Sequence, residues 1–104
     1  MVDKAKYINY LNKAEEFLDV ANAALKQSKN NAAVANAVHS AINAIDSLAV
    51  FYFGKRHAGK HEDAIGAIKG ALKNSEYDEI SKQFGGLMEL KNEAEYQPNM
   101  IGER

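Results

Sequence analysis

Residues 31–53 read NAAVANAVHSAINAIDSLAVFYF, and they form the longest and most apolar segment of the chain. Apolar residues recur in this segment every three or four positions, which is the periodicity of a helix with a buried face. The expected buried residues are Val34, Val38, Ile42, Ile45, Ala49 and Tyr52. The segment therefore predicts a central helix against which the other elements pack.

Four polar residues run through the same helix: Asn36, His39, Asn43 and Asp46. Their spacing of three, four and three residues places them on one side of the helix, and we call this row the polar seam. A buried polar group without a partner costs about 1–3 kcal/mol, so these side chains need one another, water or a second copy of the helix. One hypothesis is therefore an interaction module in which the seam sets the register of a dimer.

The same periodicity outside the central helix predicts three more helices, at residues 3–28, 60–73 and 76–95, with the central helix extending to residue 54. The expected inward residues are Ile8, Leu11, Ala14, Leu18, Ala21 and Leu25 in the first helix and Ile80, Phe84, Leu87, Leu90 and Ala94 in the last. No strand is expected. The predicted fold class is all-α, an up-and-down four-helix bundle in which residues 1–104 form a single domain with a frayed tail at 97–104.

Glycines mark the predicted turns and contacts. Gly54 and Gly59 are expected to end the second helix and to allow the chain to reverse into the third. Gly66, four residues before Gly70, predicts a close approach between the third helix and a neighbour. The pair at residues 85–86 is expected to bend or loosen the last helix.

Composition excludes several classes of function. The formal charge is −1, so any contact with nucleic acid must be local rather than driven by the field of the whole molecule. The chain has no cysteine, which excludes disulfides, thiolate metal sites and thiol catalysis. The longest uninterrupted apolar run, residues 48–53, is far shorter than the about 20 residues that span a membrane. We expect a cytoplasmic protein without a secretory signal or a membrane segment.

The most unusual segment is residues 54–61, GKRHAGKH, which we call the basic turn. It holds three cations and two of the three histidines between the second and third predicted helices. Arg56 offers a planar, permanently charged fork for phosphate oxygens, and His61 can exchange a proton near neutral pH. Together they could transfer a phosphoryl group without a metal. The alternative is a solvated basic turn whose cations complement the end of the helix dipole.

Metal binding is the other chemistry that the histidines allow. His57 and His61 are four residues apart and Glu62 follows, but Gly59 argues against one continuous helix and no third ligand is convincing. We therefore expect no metal and no cofactor. Asp46 could pair with a cation of another helix or subunit. Tyr96, near the end of the last helix, could reach the basic turn or close the core.

Three groups of residues resemble small prokaryotic members of the HEPN superfamily, the higher eukaryote and prokaryote nucleotide-binding domains. They are residues 44–48 (AIDSL), residues 54–65 (GKRHAGKHEDAI), and Lys91-Asn92 with Ala94-Glu95-Tyr96. The hallmark of that superfamily is an arginine, a polar residue, a short spacer and a histidine. Arg56, His57 and His61 fit this pattern.

The resemblance implies a helical bundle that dimerises so that two copies of the motif face a shared cleft. Many relatives are metal-independent endoribonucleases, often toxins with an antitoxin, whereas others only bind nucleotides or RNA. By this resemblance, Arg56 and His61 are the catalytic pair, while His57, Lys55 and Lys60 bind substrate. Relatives that have a nucleotidyltransferase partner typically carry a tyrosine two residues after the motif histidine, and here that residue is Asp63.

Overall fold

Three long α-helices, a three-residue 3₁₀ turn and one longer 3₁₀ helix form the described fold of this computed structural model. The elements, in chain order, are a 3₁₀ turn at Lys4–Lys6, α1 at Tyr7–Lys26, α2 at Asn30–Phe53, a 3₁₀ helix at His61–Ile68, and α3 at Asn74–Tyr96. Residues 2–57 and 59–96 are described, and the side chains at positions 62, 95 and 96 are not. Every regular element in these two ranges is helical, which confirms the all-helical prediction. The predicted frayed tail at 97–104 lies outside them.

The third predicted α-helix, residues 60–73, is wrong in both type and length. The chain instead forms the 3₁₀ helix, which ends at Ile68. Gly70 adopts a φ of 98°, a left-handed conformation that a right-handed helix cannot contain. The bundle therefore has three α-helices rather than four. The expected close approach at Gly66 is also absent, because a Cβ built there meets nothing within 4 Å in the described chain.

Small residues bring α1 close to α2. Ala14 and Ala21 of α1 are buried as predicted. Ser40 donates a hydrogen bond of 2.7 Å to the carbonyl of Ala14, and Ser47 donates one of 2.9 Å to the carbonyl of Tyr7. Serine side chains at both contacts bond the backbone of α1 directly, so the two helix backbones lie near one another.

The large apolar residues of α1 do not have the predicted burial. Four of the six expected inward residues are exposed, namely Ile8, Leu11, Leu18 and Leu25. Within the described chain, α1 packs against α2 and the 3₁₀ turn at its own start, and no element covers this side of it. The sequence pattern correctly marked an apolar stripe on α1, but in one copy of the chain that stripe faces solvent.

The core lies on the opposite side of α2. Its buried residues come from α2, from the 3₁₀ helix and from α3: Val38, Ile42, Ile45, Ala49, Ala64, Ile68, Phe84 and Met88. Tyr52, predicted to belong to this face, is exposed. The helix α3 runs without interruption through the glycine pair at 85–86. Thus α2 is the central layer, with α1 on one side and α3 and the 3₁₀ helix on the other.

Gly54 ends α2 and redirects the chain into the basic turn. It has a φ of 67°, and its N–H donates to the carbonyl of Val50 at 2.9 Å, as is typical of a glycine after a helix. Its own carbonyl accepts a hydrogen bond of 2.7 Å from the N–H of Val2. The start of the chain is therefore fixed to the end of the central helix.

By length and composition alone, α2 could cross a membrane, with a mean hydropathy of 1.2. This result is weak evidence, because the core helix of a soluble protein passes the same test. Here α2 is the helix that contacts every other element of the described chain.

Candidate functional site

A buried carboxylate holds the basic turn against α2. Asp46 is 1% exposed and accepts a hydrogen bond of 3.0 Å from the backbone N–H of His57. Its Oδ1 also lies 2.8 Å from Nδ1 of the His57 ring. Asp46 precedes the end of α2 by about two helical turns, so the chain beyond Gly54 folds back along the helix to reach it.

The Nε atom of Arg56 contacts Asp46, while much of the arginine side chain remains accessible to solvent. Its Nε lies 3.5 Å from Oδ2 of Asp46, and its guanidinium carbon lies 5.5 Å from the centre of the Tyr10 ring, a cation–π distance. The side chain is 53% exposed. Sequence reasoning missed Tyr10, because its position along the chain does not indicate which side chain α1 brings to the basic turn. The guanidinium is thus oriented and open to an anion.

His57 forms a pair with Asp46 that orients its ring. The side chain of His57 is 6% exposed, and its Nδ1 faces the carboxylate. A carboxylate accepts hydrogen bonds, so this geometry assigns the proton of the neutral ring to Nδ1 and leaves the lone pair on Nε2. Such a ring can accept a proton at Nε2. The resemblance gave His57 a substrate-binding role, whereas the geometry suits it to acid–base chemistry.

His61 adjoins His57 and His39 through edge contacts between rings. The ring centres of His61 and His57 are 5.8 Å apart, and those of His61 and His39 are 6.4 Å apart. His39 in turn lies 5.1 Å from the ring of Phe17. His39, a member of the polar seam, is exposed. All three histidines of the chain therefore lie in one row beside the basic turn.

An open cleft of about 690 Å³ lies between the end of α2, the basic turn and the 3₁₀ helix, and we call it the main cleft. Its lining residues are Tyr52, Phe53, Lys55, Arg56, His57, Asp63, Ala67 and Lys69. Sequence reasoning placed Lys55 and Arg56 at such a site, but it missed the two aromatic residues and Lys69. Tyr52 was expected on the buried face of the central helix, and Lys69 was expected inside a longer third α-helix.

The predicted catalytic pair does not share the main cleft in one copy of the chain. Arg56 lines the main cleft, whereas His61 lines a smaller cavity of about 240 Å³ with His39 and Lys91. His57 links the two, because it lines the main cleft and contacts His61. The group that the fold places directly beside Arg56 is therefore His57.

Two other predicted site residues are Lys60 and Tyr96. Lys60 is exposed immediately before the 3₁₀ helix. The side chain of Tyr96 lies outside the described part of the structure. Among the described residues, no three histidine, aspartate or glutamate side chains gather in a way that could hold a metal ion.

The polar seam finds partners within the chain. Asn36 donates to the carbonyl of Ala32 at 2.9 Å, and Asn43 donates to the carbonyl of His39 at 2.8 Å. Both bonds stay within α2. Asp46 is the buried member of the seam, and its partners lie in the basic turn. Asp46 is therefore the residue of the polar seam that contacts the basic turn in this structure.

Comparison of the chain with models of protein families, with curated proteins and with solved structures finds no match in any of the three. The fold and the site together define an all-helical domain in which a buried carboxylate, Asp46, holds an arginine and a histidine beside a cleft lined by three cations. The likeness to the HEPN superfamily rests on the residues quoted above.

Proposed function

We propose that this protein is a HEPN-like endoribonuclease that cleaves RNA without a metal. The observation that carries the proposal is the attachment of both Arg56 and His57 to the buried carboxylate of Asp46 at the edge of the main cleft. A positioned guanidinium can stabilise a phosphorane, and a positioned imidazole can move a proton. Such fixed groups supply both kinds of catalysis without reorganising at the moment of reaction.

In the proposed reaction, the 2′-oxygen of a ribose attacks the adjacent phosphorus. Nε2 of His57 takes the proton of the 2′-hydroxyl as the new oxygen–phosphorus bond forms. Arg56 stabilises the additional negative charge on the phosphorane oxygens. The bond from phosphorus to the 5′-oxygen then breaks, and that oxygen takes a proton from solvent water. The products are a 2′,3′-cyclic phosphate and a 5′-hydroxyl, so protons and charge balance.

The experiment that tests this proposal is RNA cleavage in excess chelator. We expect the protein to produce 2′,3′-cyclic phosphate ends, and Arg56→Ala or His57→Ala to lower the rate about 10²-fold or more. Lys82→Ala, at an exposed lysine of α3, is the matched control and should cleave normally. Absence of cleavage, or cleavage that survives both substitutions at the site, would remove the nuclease proposal.

The proposed enzyme acts as a homodimer in which α1 supplies an apolar contact. The exposed residues Leu11, Leu18 and Leu25 repeat every seven positions along α1, with Ile8 beside them. The radius of gyration is 14.4 Å, compared with about 13 Å for a compact chain of this length. An elongated copy with an uncovered leucine row is suited to packing against a second copy. In such a dimer, two sites could share one substrate.

Sedimentation measurements can check this association. We expect the mass of a dimer, and Leu18→Glu should reduce it to that of a monomer. Val20 is the control, because it is 50% exposed, as Leu18 is at 49%, but points to the opposite side of α1. Val20→Glu should leave the mass unchanged. A monomeric parent protein, or equal effects of the two substitutions, would contradict a dimer formed through this row.

A second candidate function is binding of a nucleotide or RNA without cleavage, in an accessory subunit. The observation that favours it is the low exposure of the His57 ring, 6%, together with the position of His61 in the smaller cavity. In that case a ligand would bind with no turnover, and Arg56→Ala would abolish binding. Turnover by the purified protein would exclude it.

A further inference from the structure

The main cleft contains more than a phosphate site requires. Three cations line it, Lys55, Arg56 and Lys69, and so do one carboxylate and two exposed aromatic rings. A site for inorganic phosphate or a simple polyanion has no use for the carboxylate, which repels anions, or for the rings. A single strand of RNA carries all three complementary parts: anionic phosphates, flat bases and hydrogen-bond donors on the edges of those bases.

The aromatic part of the cleft is Phe53 with Tyr52. Phe53 is 40% exposed although it belongs to the last turn of the central helix. The two ring planes are inclined at 48° with centres 6.3 Å apart, so these rings do not cover one another face to face. A Cβ built on Gly70 would lie 4.0 Å from Cζ of Phe53, so the edge of the ring is near this glycine. An exposed ring that lines a cleft with three cations is a suitable platform for a base.

The acidic part of the cleft is Asp63. It is exposed in the first turn of the 3₁₀ helix, and its Oδ2 lies 3.5 Å from the position of a Cβ built on Gly59. Asp63 is five residues before Ile68, the last residue of the 3₁₀ helix, which corresponds to about 10 Å along its axis, and Lys69 follows directly. The carboxylate is therefore near the basic turn, while a cation and the Phe53 platform occupy the other end.

We propose that the main cleft binds single-stranded RNA by stacking one base on Phe53 and reading a second base, a guanine, with the carboxylate of Asp63. An ionised carboxylate only accepts hydrogen bonds, and its two oxygens can meet two neighbouring donors. Guanine presents such a pair on its Watson–Crick edge, the N1 imino group and the N2 amino group. Adenine presents a lone pair at N1, which faces the carboxylate unfavourably. This inference rests on the proposed function in taking RNA as the ligand.

Binding of 2′-O-methyl oligonucleotides tests the inference separately from cleavage, since they lack the 2′-hydroxyl that attacks. The probes are short labelled uridine oligomers with one central guanosine, inosine, adenosine or cytidine, measured by fluorescence anisotropy in chelator. Inosine keeps the N1 donor of guanosine but lacks the N2 amino group. We expect guanosine to bind about tenfold more tightly than inosine. Asp63→Asn should remove this preference, because an amide presents one donor and one acceptor.

Matched substitutions test the aromatic part. Phe53→Leu keeps apolar bulk but removes the ring, and we expect it to weaken binding about tenfold. The control is Phe51→Leu, since Phe51 is 49% exposed two residues earlier on α2, packs edge-on against Tyr7, and lies outside the lining of the main cleft. Both variants should retain the helical circular dichroism spectrum of the parent.

The outcomes separate this inference from the proposed nuclease. Equal binding of all four probes, or a guanosine preference that survives Asp63→Asn, would overturn the proposal that Asp63 recognises guanine. Equal loss in the two phenylalanine variants would overturn the stacking platform. Binding of anionic vesicles or acidic peptides in preference to every oligonucleotide would overturn RNA as the ligand. Selective binding without cleavage of unmodified RNA would sustain the inference and remove the nuclease alone.

Discussion

Asp46 determines where Arg56 and His57 of the basic turn lie. Its carboxylate accepts from the backbone and the ring of His57 and lies beside Nε of Arg56, so one buried group orients an imidazole and a guanidinium. A buried carboxylate is tolerated when such donors compensate for its lost hydration. The sequence showed Asp46 as an acid on a mostly apolar helix. It could not show which cation would fold back to reach it, because that depends on the path of the turn.

At the scale of one residue, we predict that Asp46→Asn destabilises the fold by about 2 kcal/mol. The amide keeps the shape of the side chain but loses the charge, and its NH₂ group would face a donor of either His57 or Arg56. Most of the cost should come from the buried His57, since the side chain of Arg56 is 53% exposed and solvent screens its ion pair. Denaturant unfolding measures the change.

The control for Asp46→Asn is Asp78→Asn, an exposed aspartate on α3, which should leave stability within about 0.5 kcal/mol of the parent. A double substitution with Arg56→Ala separates the two partners. We expect the effect of Asp46→Asn on RNA binding to shrink when Arg56 is already absent, because the residues act through one contact. Strictly additive effects would show that Asp46 does not position Arg56.

At the scale of elements, the helical pattern predicted α1, α2 and α3 well, and it failed at the 3₁₀ helix. Apolar spacing predicts which residues share one face of a helix. It does not tell whether that face is buried against another element or exposed, as the row of Leu11, Leu18 and Leu25 is. It does not report a local change of helix type. The positive φ of Gly70 limits the length of this segment, because a right-handed helix cannot continue through it. Asp63, Ala67 and Lys69 reach the main cleft from this same segment or directly after it, so their place in the lining could not be assigned from spacing.

Replacing a glycine by alanine is expected to raise the stability of the protein in α3 and to lower it at the end of α2. Gly85 and Gly86 lie in the interior of α3, and a Cβ built on either meets nothing within 4 Å. Each substitution by alanine should stabilise the protein by about 1 kcal/mol, raising Tm by roughly 4 °C, because alanine restricts the unfolded chain and favours the helix. Gly54→Ala should destabilise it, since φ is 67° and the added Cβ would lie 3.4 Å from the carbonyl oxygen of Val2. A thermal melt that lowers Tm for both α3 variants would contradict this account.

At the scale of the whole molecule, charge is local rather than global. The net charge is −1, yet three cations line one cleft beside the end of α2. A protein of this kind has no long-range field to draw RNA toward it, so the proposed affinity for RNA must come from contacts inside the cleft. The main cleft and the uncovered row on α1 are therefore two separate surfaces, one suited to an anionic ligand and one to an apolar partner.

This distribution of charge predicts a shallow dependence of RNA binding on salt. Each phosphate neutralised on a single strand contributes a slope of about −0.7 to the logarithm of affinity against the logarithm of salt concentration. Three cations, Lys55, Arg56 and Lys69, therefore predict a slope of about −2, which is roughly a fifteenfold loss for a fourfold rise in salt. Lys69→Gln should reduce the slope to about −1.4, while Lys82→Gln on α3 should leave it unchanged. A slope steeper than about −4, or equal effects of the two lysine substitutions, would place the bound strand on a surface other than the main cleft.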